Sequence, residues 1–559
     1  MIAEFIPPAV WLFVGAVLVA VTRGPLRGGL GILFPLIALW ASWQVEDAVM
    51  VSVFYLDQGL ELVQGSPVRR LFATIFTLMA ATGVLFGYKT AKGTELAAAL
   101  AYAGGAVGIC FSGDLLTLFL FWELMAIFST VVIWYGGTDS AKAAGLRYAM
   151  VHFLGGIFLM VGIAGIYVTT GSLDVRAFSA DGFPAWAMLI GVLVNTAAPP
   201  FSAWLSDAYP EASPSGTVFL SAFTTKSAVL TLILLFPGES VLTVVGLVMV
   251  FYGIIYALLE NDARRILAYS IVNQVGFMVT AVGIGTETAL NGAAAHAFAH
   301  IIYKALLLMS AGAVLYRTGK RRCTDLGGLF RTMPIACICG IIGALAISSF
   351  PLTSGYTTKT LISVAAEEEH LALVWYLLAA ASAGVFLHAG IKFPWYVFFQ
   401  KDSGLRPADA PWNMSAAMIF FAFLCVFLGV YPEPLWALLP YPIEFHPYAG
   451  YKLVFYLQLL LFSGLAFFLL LPWMKRTLTI TLDTDWIYRV AIVGVARSLK
   501  RGWSAVDPFG RGWRVVQAIG DFITRHAEGG GALTRTWAIG TTALWILGLL
   551  TLYMVIQYL

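Results

Sequence analysis

Charged side chains are scarce in this chain of 559 residues, of which only 11% are Asp, Glu, Lys or Arg while 60% are hydrophobic. A soluble domain of this size needs far more charge on its surface, so the composition excludes a soluble globular protein. Apolar runs of about 20 residues, long enough to cross a hydrocarbon core of about 30 Å, recur from one end to the other. The sequence therefore predicts an all-α polytopic membrane protein.

Cysteine is also rare, and the usual signals for secretion and nucleic-acid binding are missing. The five cysteines, Cys110, Cys323, Cys337, Cys339 and Cys425, lie in or beside apolar segments, which predicts reduced buried thiols rather than a disulfide framework. The first apolar run has neither a basic segment before it nor an A-x-A cleavage site, so we expect a retained span. The net charge of +3 is spread over many loops, and no nucleic-acid partner is expected.

The apolar runs predict about sixteen membrane spans. They lie near residues 8–22, 29–48, 70–91, 95–112, 114–136, 144–170, 185–205, 215–236, 241–259, 265–285, 289–316, 334–365, 371–400, 412–432, 452–473 and 533–558. Lysine and arginine concentrate on alternate loops, as the positive-inside rule requires, although Arg69 and Arg70 fall on an outer loop against the rule. We therefore expect a multi-pass cell-membrane protein with both termini outside.

Helix-breaking residues lie inside two of these spans. Pro199 and Pro200 interrupt span 7, and Pro351 with Gly355 interrupts span 12. Because freed carbonyl groups need partners within a membrane, such breaks at corresponding places usually mark a transport site. The pattern predicts N-terminal helices over 1–94, two inverted five-helix repeats over 95–236 and 241–400 (spans 4–8 and 9–13), and further helices over 412–473.

The character of the chain changes after the fifteenth span. Residues 475–530 combine many lysines and arginines with Trp486, Trp503 and Trp513. This composition predicts a basic amphipathic segment that lies on the inner membrane surface, and an ordinary loop is the alternative. A final span over 533–558 follows.

Six ionisable side chains fall within or beside predicted spans, where each charge would be costly. They are Glu123, Lys226, His296, His300, Lys304 and Lys359. A single lysine near a helix end can extend to the membrane surface, and a single histidine or glutamate can serve packing or ion pairing. Several such groups beside two helix breaks favour proton transfer, because histidine titrates near neutrality and buried lysine and glutamate can be shifted towards it.

The histidines and Lys304 are spaced four residues apart, so they form one stripe along a helix. The spacing of His296 and His300 also fits a zinc pair, but the segment lacks the glutamate of HExxH and a third ligand nearby. We therefore expect a segment of a proton pathway and no metal site.

Six fragments of the sequence, in this order, resemble the antiporter-like membrane subunits shared by Mrp-type cation/proton antiporters and respiratory complex I. They are FWELM at 121–125, PPFSAWLSDAYPEASP at 199–214, TTKSAV at 224–229, RRILAYSIVNQVGF at 264–277, HAFAHIIYKALLLMSAGAVL at 296–315 and SSFPLTSGYTTKTLI at 348–362. The resemblance spans roughly residues 70 to 400, and within the family it is greatest to the D-type subunit.

The resemblance implies a polar axis along the middle of the membrane. By their motifs, Glu123 matches the glutamate of span 5, Lys226 the basic residue of span 8, and Lys359 the charged residue of span 12. His296, His300 and Lys304 match the stripe of span 11. Where the family usually has a lysine in span 7 this chain has Asn195, which cannot titrate. We therefore expect either that Glu123 pairs with Lys226 instead, directly or through water, or that the first half works by another route.

The function that the resemblance implies is that of a membrane subunit of a multisubunit Na⁺ or K⁺/H⁺ antiporter, with other membrane subunits as partners and no enzyme activity of its own. The alternatives are a proton-translocating subunit of a complex I-like or hydrogenase redox complex, and the membrane half of an inorganic-carbon uptake complex. An intramembrane hydrolase would need a nucleophile beside a base, which the motifs lack. No nucleotide-binding motif or cluster-binding cysteine set is present, so no cofactor is expected.

Overall fold

The computed structural model describes residues 5–55, 58–472, 483–484, 486–491, 494–495, 497–498, 517 and 521. The chain divides into two units, Met1–Asp485 and Trp486–Leu559. In the described part, twelve helices are long and apolar enough to cross a membrane, which confirms the all-α polytopic prediction. Of the second unit, Ile487–Ala491 forms a π-helical turn. The predicted surface segment falls largely, and the predicted final span wholly, outside the described residues.

The described residues of the first half of the larger unit form ten α-helices and one hairpin. Their bounds are α1 (Pro8–Val21), α2 (Gly24–Ser42), β1 (Val49–Tyr55), β2 (Gln58–Gln64), α3 (Pro67–Gly87), α4 (Gly93–Phe111), α5 (Leu115–Trp134), α6 (Asp139–Thr170), α7 (Phe183–Asn195), α8 (Ala203–Ala208), α9 (Pro214–Leu220) and α10 (Thr224–Leu235). The two strands pair antiparallel.

The described residues of the second half form nine α-helices. Their bounds are α11 (Ser240–Leu259), α12 (Ala263–Ile284), α13 (Glu287–Thr318), α14 (Pro334–Ile347), α15 (Ser354–Glu368), α16 (Ala372–Val385), α17 (Trp412–Val430), α18 (Glu433–Trp436) and α19 (Gly450–Leu470). After α16 the helix continues as π-helical segments at Phe386–Lys392 and Trp395–Phe399.

Each of the first fifteen predicted spans coincides with one helix or with a pair of helices around a break. The sequence did not predict the hairpin, which lies just before α3, the helix whose first turn carries Arg69 and Arg70. Arg69 is buried and donates to the carbonyl oxygens of Cys110 and Ser112 at 3.0 and 2.5 Å. Arg70 pairs with Asp47 at 2.5 Å. Both arginines are therefore satisfied by groups of the protein itself.

The predicted breaks are present, and their backbones match closely. The first separates α7 from α8 and the second separates α14 from α15. Ala197 and Ser349 both have positive φ, and the N–H groups of the residues after them reach back to Leu193 and Leu345 at 3.1 and 3.0 Å. This is the hydrogen bonding of a helix that ends in a left-handed residue. Pro199 is half-buried and Pro351 is buried, whereas Pro200 is exposed.

A third break, between α9 and α10, lies in span 8 at residues 221–223. The sequence did not predict it, because no proline or glycine marks the place. Lys226 follows this break by one helical turn. Therefore all three breaks lie close to residues that the sequence pattern had singled out.

Glycines allow α11 and α12 to pack along their whole length. A Cβ atom on Gly276 would lie 2.6 Å from the Gly246 carbonyl oxygen, and one on Gly253 would lie 2.6 Å from the Tyr269 carbonyl oxygen. Such small residues are what permits backbones to approach closely inside a membrane. Helix α12 of this pair packs in turn against α13.

We predict that Gly276→Leu lowers the free energy of unfolding by about 1–3 kcal/mol, because the added side chain must force α11 and α12 apart. Gly29→Leu is the matched control, since a Cβ atom at this helical glycine meets nothing within 4 Å. Thermal denaturation of the two variants in the same detergent tests the packing. Equal stability of the two variants would contradict it.

Candidate functional site

The predicted stripe on α13 lies in the interior of the protein. His296, His300 and Lys304 are fully buried. His296 Nδ1 lies 3.0 Å from Thr358 Oγ1 on α15, and its Nε2 lies 3.2 Å from Gln274 Oε1 on α12. The hydroxyl of Tyr303 donates to the same Gln274 oxygen at 3.0 Å. His296 therefore links three helices through polar side chains.

The next two residues of the stripe differ in their partners. Both ring nitrogens of His300 are buried without a hydrogen-bond partner among the described residues. Lys304 Nζ donates to Ser270 Oγ at 2.9 Å and to the Leu267 carbonyl oxygen at 3.2 Å, both on α12. His300 thus lies between two hydrogen-bonded neighbours with its own bonding capacity free, which suits a group that exchanges protons with water.

Lys359 lies on α15, just after the second break, and is fully buried. Its Nζ donates at 2.8 Å to the carbonyl oxygen of Ile347, the last residue of α14, and lies 4.9 Å from the centre of the Phe277 ring. Thr358, its neighbour in sequence, holds His296. One turn of α15 therefore connects the break to the stripe.

Lys226 also lies just after a break, the one between α9 and α10. It lies at the start of α10, is fully buried, and donates to the Ser221 carbonyl oxygen at 2.6 Å and to Thr225 Oγ1 at 3.1 Å. Ser221 belongs to the third break. Helix α10 packs against α4, α7, α12 and α13, so Lys226 lies where the two halves of the protein meet.

Glu123 and Lys226 form no direct ion pair, so only the pairing through water stays a prediction. Glu123 is half-buried on α5, and its Oε1 has no partner within the described residues. No carboxylate in the described part forms an ion pair with any of the three site lysines within 4.0 Å. Glu123 instead packs against Gly156 of α6, where a Cβ atom would lie 2.0 Å from Oε1. The observed neighbour of Glu123 therefore belongs to α6, whereas the sequence predicted a neighbour on α10.

Asn195, the last residue of α7, is buried and pairs with a histidine that the sequence pattern had not singled out. His152 of α6 lies with Nδ1 2.7 Å from Asn195 Oδ1. Its ring packs between Tyr148 and Trp204, with centroid separations of 4.0 and 4.5 Å. The sequence does contain a signal for this residue, because all the neighbours of His152 in the segment MVHFLGG are apolar.

Hydroxyl groups fill the space between His152 and Lys226. Tyr148, one turn before His152, donates to Ser129 Oγ at 2.9 Å and lies 3.3 Å from Thr224 Oγ1. Tyr102 Oη lies 2.6 Å from the same Thr224 oxygen. Because Thr224 and Thr225 begin α10, this cluster reaches Lys226, which Thr225 contacts. The polar side chains thus run from α6 to the middle of the protein.

Charged residues at one end of the helices bind neighbouring loops together. Arg147 pairs with Asp207 at 2.7 Å, and Arg321 pairs with Glu211 at 2.9 Å and with Asp262 at 2.7 Å. The charge pattern predicts that the segments carrying these residues lie on one side of the membrane. In the structure the residues meet on one face of the protein. Which side of the membrane this face occupies stays a prediction.

The fold and the site define a polytopic membrane protein with a buried row of protonatable side chains. Within the described residues, no group of three His, Cys, Asp or Glu side chains has the arrangement of a metal site. The row combines lysines and histidines with hydroxyl and amide groups, and all five of the bases that the sequence singled out are completely buried. Such an arrangement can hold and pass protons.

Comparison with known proteins agrees with this class. Residues 112–386 match the family described as NADH:quinone oxidoreductase/Mrp antiporter, transmembrane. The chain is 29% identical over 360 residues to the A/B-type subunit of a probable K⁺/H⁺ antiporter from Rhizobium meliloti, a match that covers 60% of this chain and 36% of that protein. It is 29% identical over 357 residues to the D-type subunit of the Na⁺/H⁺ antiporter from Alkalihalophilus pseudofirmus, covering 59% and 71%.

A solved structure shares the fold. A chain of the membrane-bound sulfane sulfur reductase, an archaeal respiratory membrane complex, superposes with a TM-score of 0.68 at 24% identity, covering 81% of this chain and 97% of that one. Through residues 112–386 the present chain resembles the membrane subunits that NADH:quinone oxidoreductases and Mrp antiporters share. The expected resemblance is confirmed. The chain spans about a third of the length of its Rhizobium relative.

The contact between Glu123 and Gly156 generates a prediction. Gly156→Ala should displace the carboxylate, because the added Cβ atom would lie 2.0 Å from Oε1. If Glu123 carries protons, this variant should lower proton movement into membrane vesicles about as much as Glu123→Gln does. Ala164→Val, on the exposed side of the same helix, is the control for added bulk. Unchanged proton movement in Gly156→Ala would show that the position of Glu123 is unimportant.

Proposed function

We propose that this chain is the proton-carrying membrane subunit of a multisubunit monovalent cation/proton antiporter. The protons pass along Glu123, Lys226, His296, His300, Lys304 and Lys359. The observation that carries the proposal is the burial of three lysines and two histidines in one region without a carboxylate partner in the described residues. The family match and the antiporter relatives support the same function.

Within the described residues, Lys226, Lys304 and Lys359 form no ion pairs. This matters because a buried charge without a partner is costly. An ammonium group inside a membrane protein needs a counter-ion or several strong acceptors, and removing such partners costs several kcal/mol. Lys304 has one hydroxyl and one carbonyl acceptor, and Lys359 has one carbonyl. Lysines with a purely structural role would be expected to form ion pairs with carboxylates. The small number of acceptors at Lys304 and Lys359 favours lysines that can adopt both the neutral and the charged form.

The spacing of the groups supports transfer through the stripe. His296 shares Gln274 with Tyr303, and Thr358 joins it to the helix of Lys359. The ring centroids of His296 and His300 are 6.3 Å apart, a gap that one water molecule can bridge. A charge on one member changes the protonation of the next, which couples proton movement to an event elsewhere in the complex.

A redox-driven proton pump is the second candidate, because the family includes NADH:quinone oxidoreductase subunits and the fold occurs in a respiratory membrane complex. The buried row serves either function equally well. The difference lies in the driving event, which partner subunits would supply. Subunits of NADH:quinone oxidoreductases are similar to this chain as well, and we favour the antiporter because subunits of both a K⁺/H⁺ and a Na⁺/H⁺ antiporter match it over about 60% of its length.

We predict that Lys304→Ala and Lys359→Ala each reduce proton-coupled transport by about a hundredfold while the complex still assembles. Each change removes the amine of a buried proton carrier and leaves a residue that favours the helix. Lys142→Ala, which removes a partly exposed lysine at the start of α6, should transport normally. The measurement is the pH change inside inverted vesicles after a cation pulse. Normal transport by either buried-lysine variant would mean that the pathway runs elsewhere.

A cation pulse also separates the two candidate functions. In vesicles that contain the purified native complex, a Na⁺ or K⁺ gradient alone should move protons if the complex is an antiporter. A pump should remain silent until an electron donor and acceptor are added. Identification of the co-purifying subunits is the control. A cation response that is absent in the intact complex, together with a redox response, would overturn the antiporter proposal.

A further inference from the structure

Helices α6 and α13 are built alike. Both are 32 residues long, both begin after a threonine whose hydroxyl caps the helix, and both end at a glycine with positive φ. The capping residues are Thr138 with Gly171 and Thr286 with Gly319. Each helix is followed by a broken pair, α7 with α8 and α14 with α15, whose breaks have matching backbones. The two helices therefore have equivalent places in the two halves of the protein.

This equivalence aligns His152 with the stripe. Counted from the first residue of each helix, His152 occupies the position of His300, and Tyr148 occupies that of His296. His296 contacts Thr358 on the broken helix that follows it, and His152 contacts Asn195 on the broken helix that follows α6. Both halves thus place a buried imidazole against a polar side chain next to a break.

The surroundings of His152 leave one edge of the ring free. With Asn195 Oδ1 as the acceptor, Nδ1 carries the hydrogen and Nε2 presents its lone pair. Within the described residues Nε2 is buried and without a partner, and so is Asn195 Nδ2. Buried polar atoms are normally hydrogen-bonded, so two unpaired ones on contacting side chains indicate a place that water or a moving proton occupies.

His152 also lies between the two groups that sequence reasoning paired. Gly156, which contacts Glu123 Oε1, is the next residue along the same face of α6. On the other side, Tyr148 reaches Thr224 at the start of α10, the helix of Lys226. Glu123 Oε1 therefore contacts α6 about one helical turn after His152.

We infer that His152 is the proton-transfer residue of the first half and connects Glu123 to the Tyr148–Thr224–Lys226 cluster in place of a titratable residue at position 195. The ring takes a proton at Nε2 from water on the Glu123 side and releases a proton from the same Nε2, through water, to the hydroxyl cluster, so that Nδ1–H stays hydrogen-bonded to Asn195 throughout. No electron moves and no bond other than N–H and O–H changes. Asn195 is a positioning residue that fixes the tautomer. This inference rests on the proposed function.

The test compares His152→Gln with the double variant His152→Gln/Asn195→Lys in the intact complex. Glutamine preserves hydrogen bonding to Asn195 but cannot titrate, so proton-coupled transport should fall about tenfold or more. In the double variant the added lysine restores a base within the same buried pair, and about a third or more of the transport should return. His370→Gln, on the exposed loop after α15, should transport normally.

Normal transport in His152→Gln would overturn the inference. So would an assembled double variant that stays as inactive as the single one, because His152 would then serve only packing. If His152→Gln does not assemble, Asn195→Asp decides, since it changes a single amide nitrogen to oxygen. Its carboxylate should hold the proton on the ring and slow transport about tenfold, as a carboxylate partner stabilises imidazolium. A rate equal to that of the unaltered complex would exclude His152 as a carrier.

The proposed function can fail separately. If the unaltered complex moves no protons in response to a cation gradient, the antiporter proposal fails before any variant of His152 is compared. If Lys304→Ala is inactive but His152→Gln is active, the proposed function stands and only the present inference is wrong. If a redox couple drives transport instead, the same variants test His152 in the pump.

Discussion

The free carbonyl groups of broken membrane helices are the constraint on which this site depends. Within a bilayer such groups must find donors inside the protein. Lys359 provides one for Ile347, Lys226 provides one for Ser221, and the Trp204 indole provides one for Val194 at 3.0 Å. A lysine has hydrogen-bond donors in both its charged and its neutral form, so it can gain or lose a proton without leaving the break unsatisfied.

The breaks and the buried lysines therefore stabilise one another. A partial negative charge at the C-terminal end of a helix favours a nearby cation, and the half-helices before the breaks end close to Lys226 and Lys359. Three buried lysines in one protein also repel one another when charged, and no carboxylate in the described part pairs with them. Occupation of one site by a proton disfavours occupation of the next, which is a physical basis for coupling.

Several features could be predicted because their signals are local. Apolar runs placed fifteen spans within a few residues of the helices, and prolines marked the first two breaks. The spacing of His296, His300 and Lys304 identified a stripe, and the stripe is buried. The hairpin at 49–64 was missed because it is short and lies between two strongly apolar spans. The third break was missed because no proline or glycine marks it, although a lysine that follows it supplies the partner for a freed carbonyl.

By itself the sequence determined the membrane class, the helices, two of the breaks and the burial of five of the six selected ionisable residues, because hydrophobicity and helix breaking act over a few neighbouring residues. Only the tertiary structure decided which side chains meet. Glu123 faces α6 rather than Lys226, and His152 contacts Asn195 although 43 positions separate them in the chain. Contacts between helices depend on the rotation and separation of packed surfaces, which small residues such as Gly156 permit and which no short stretch of sequence records.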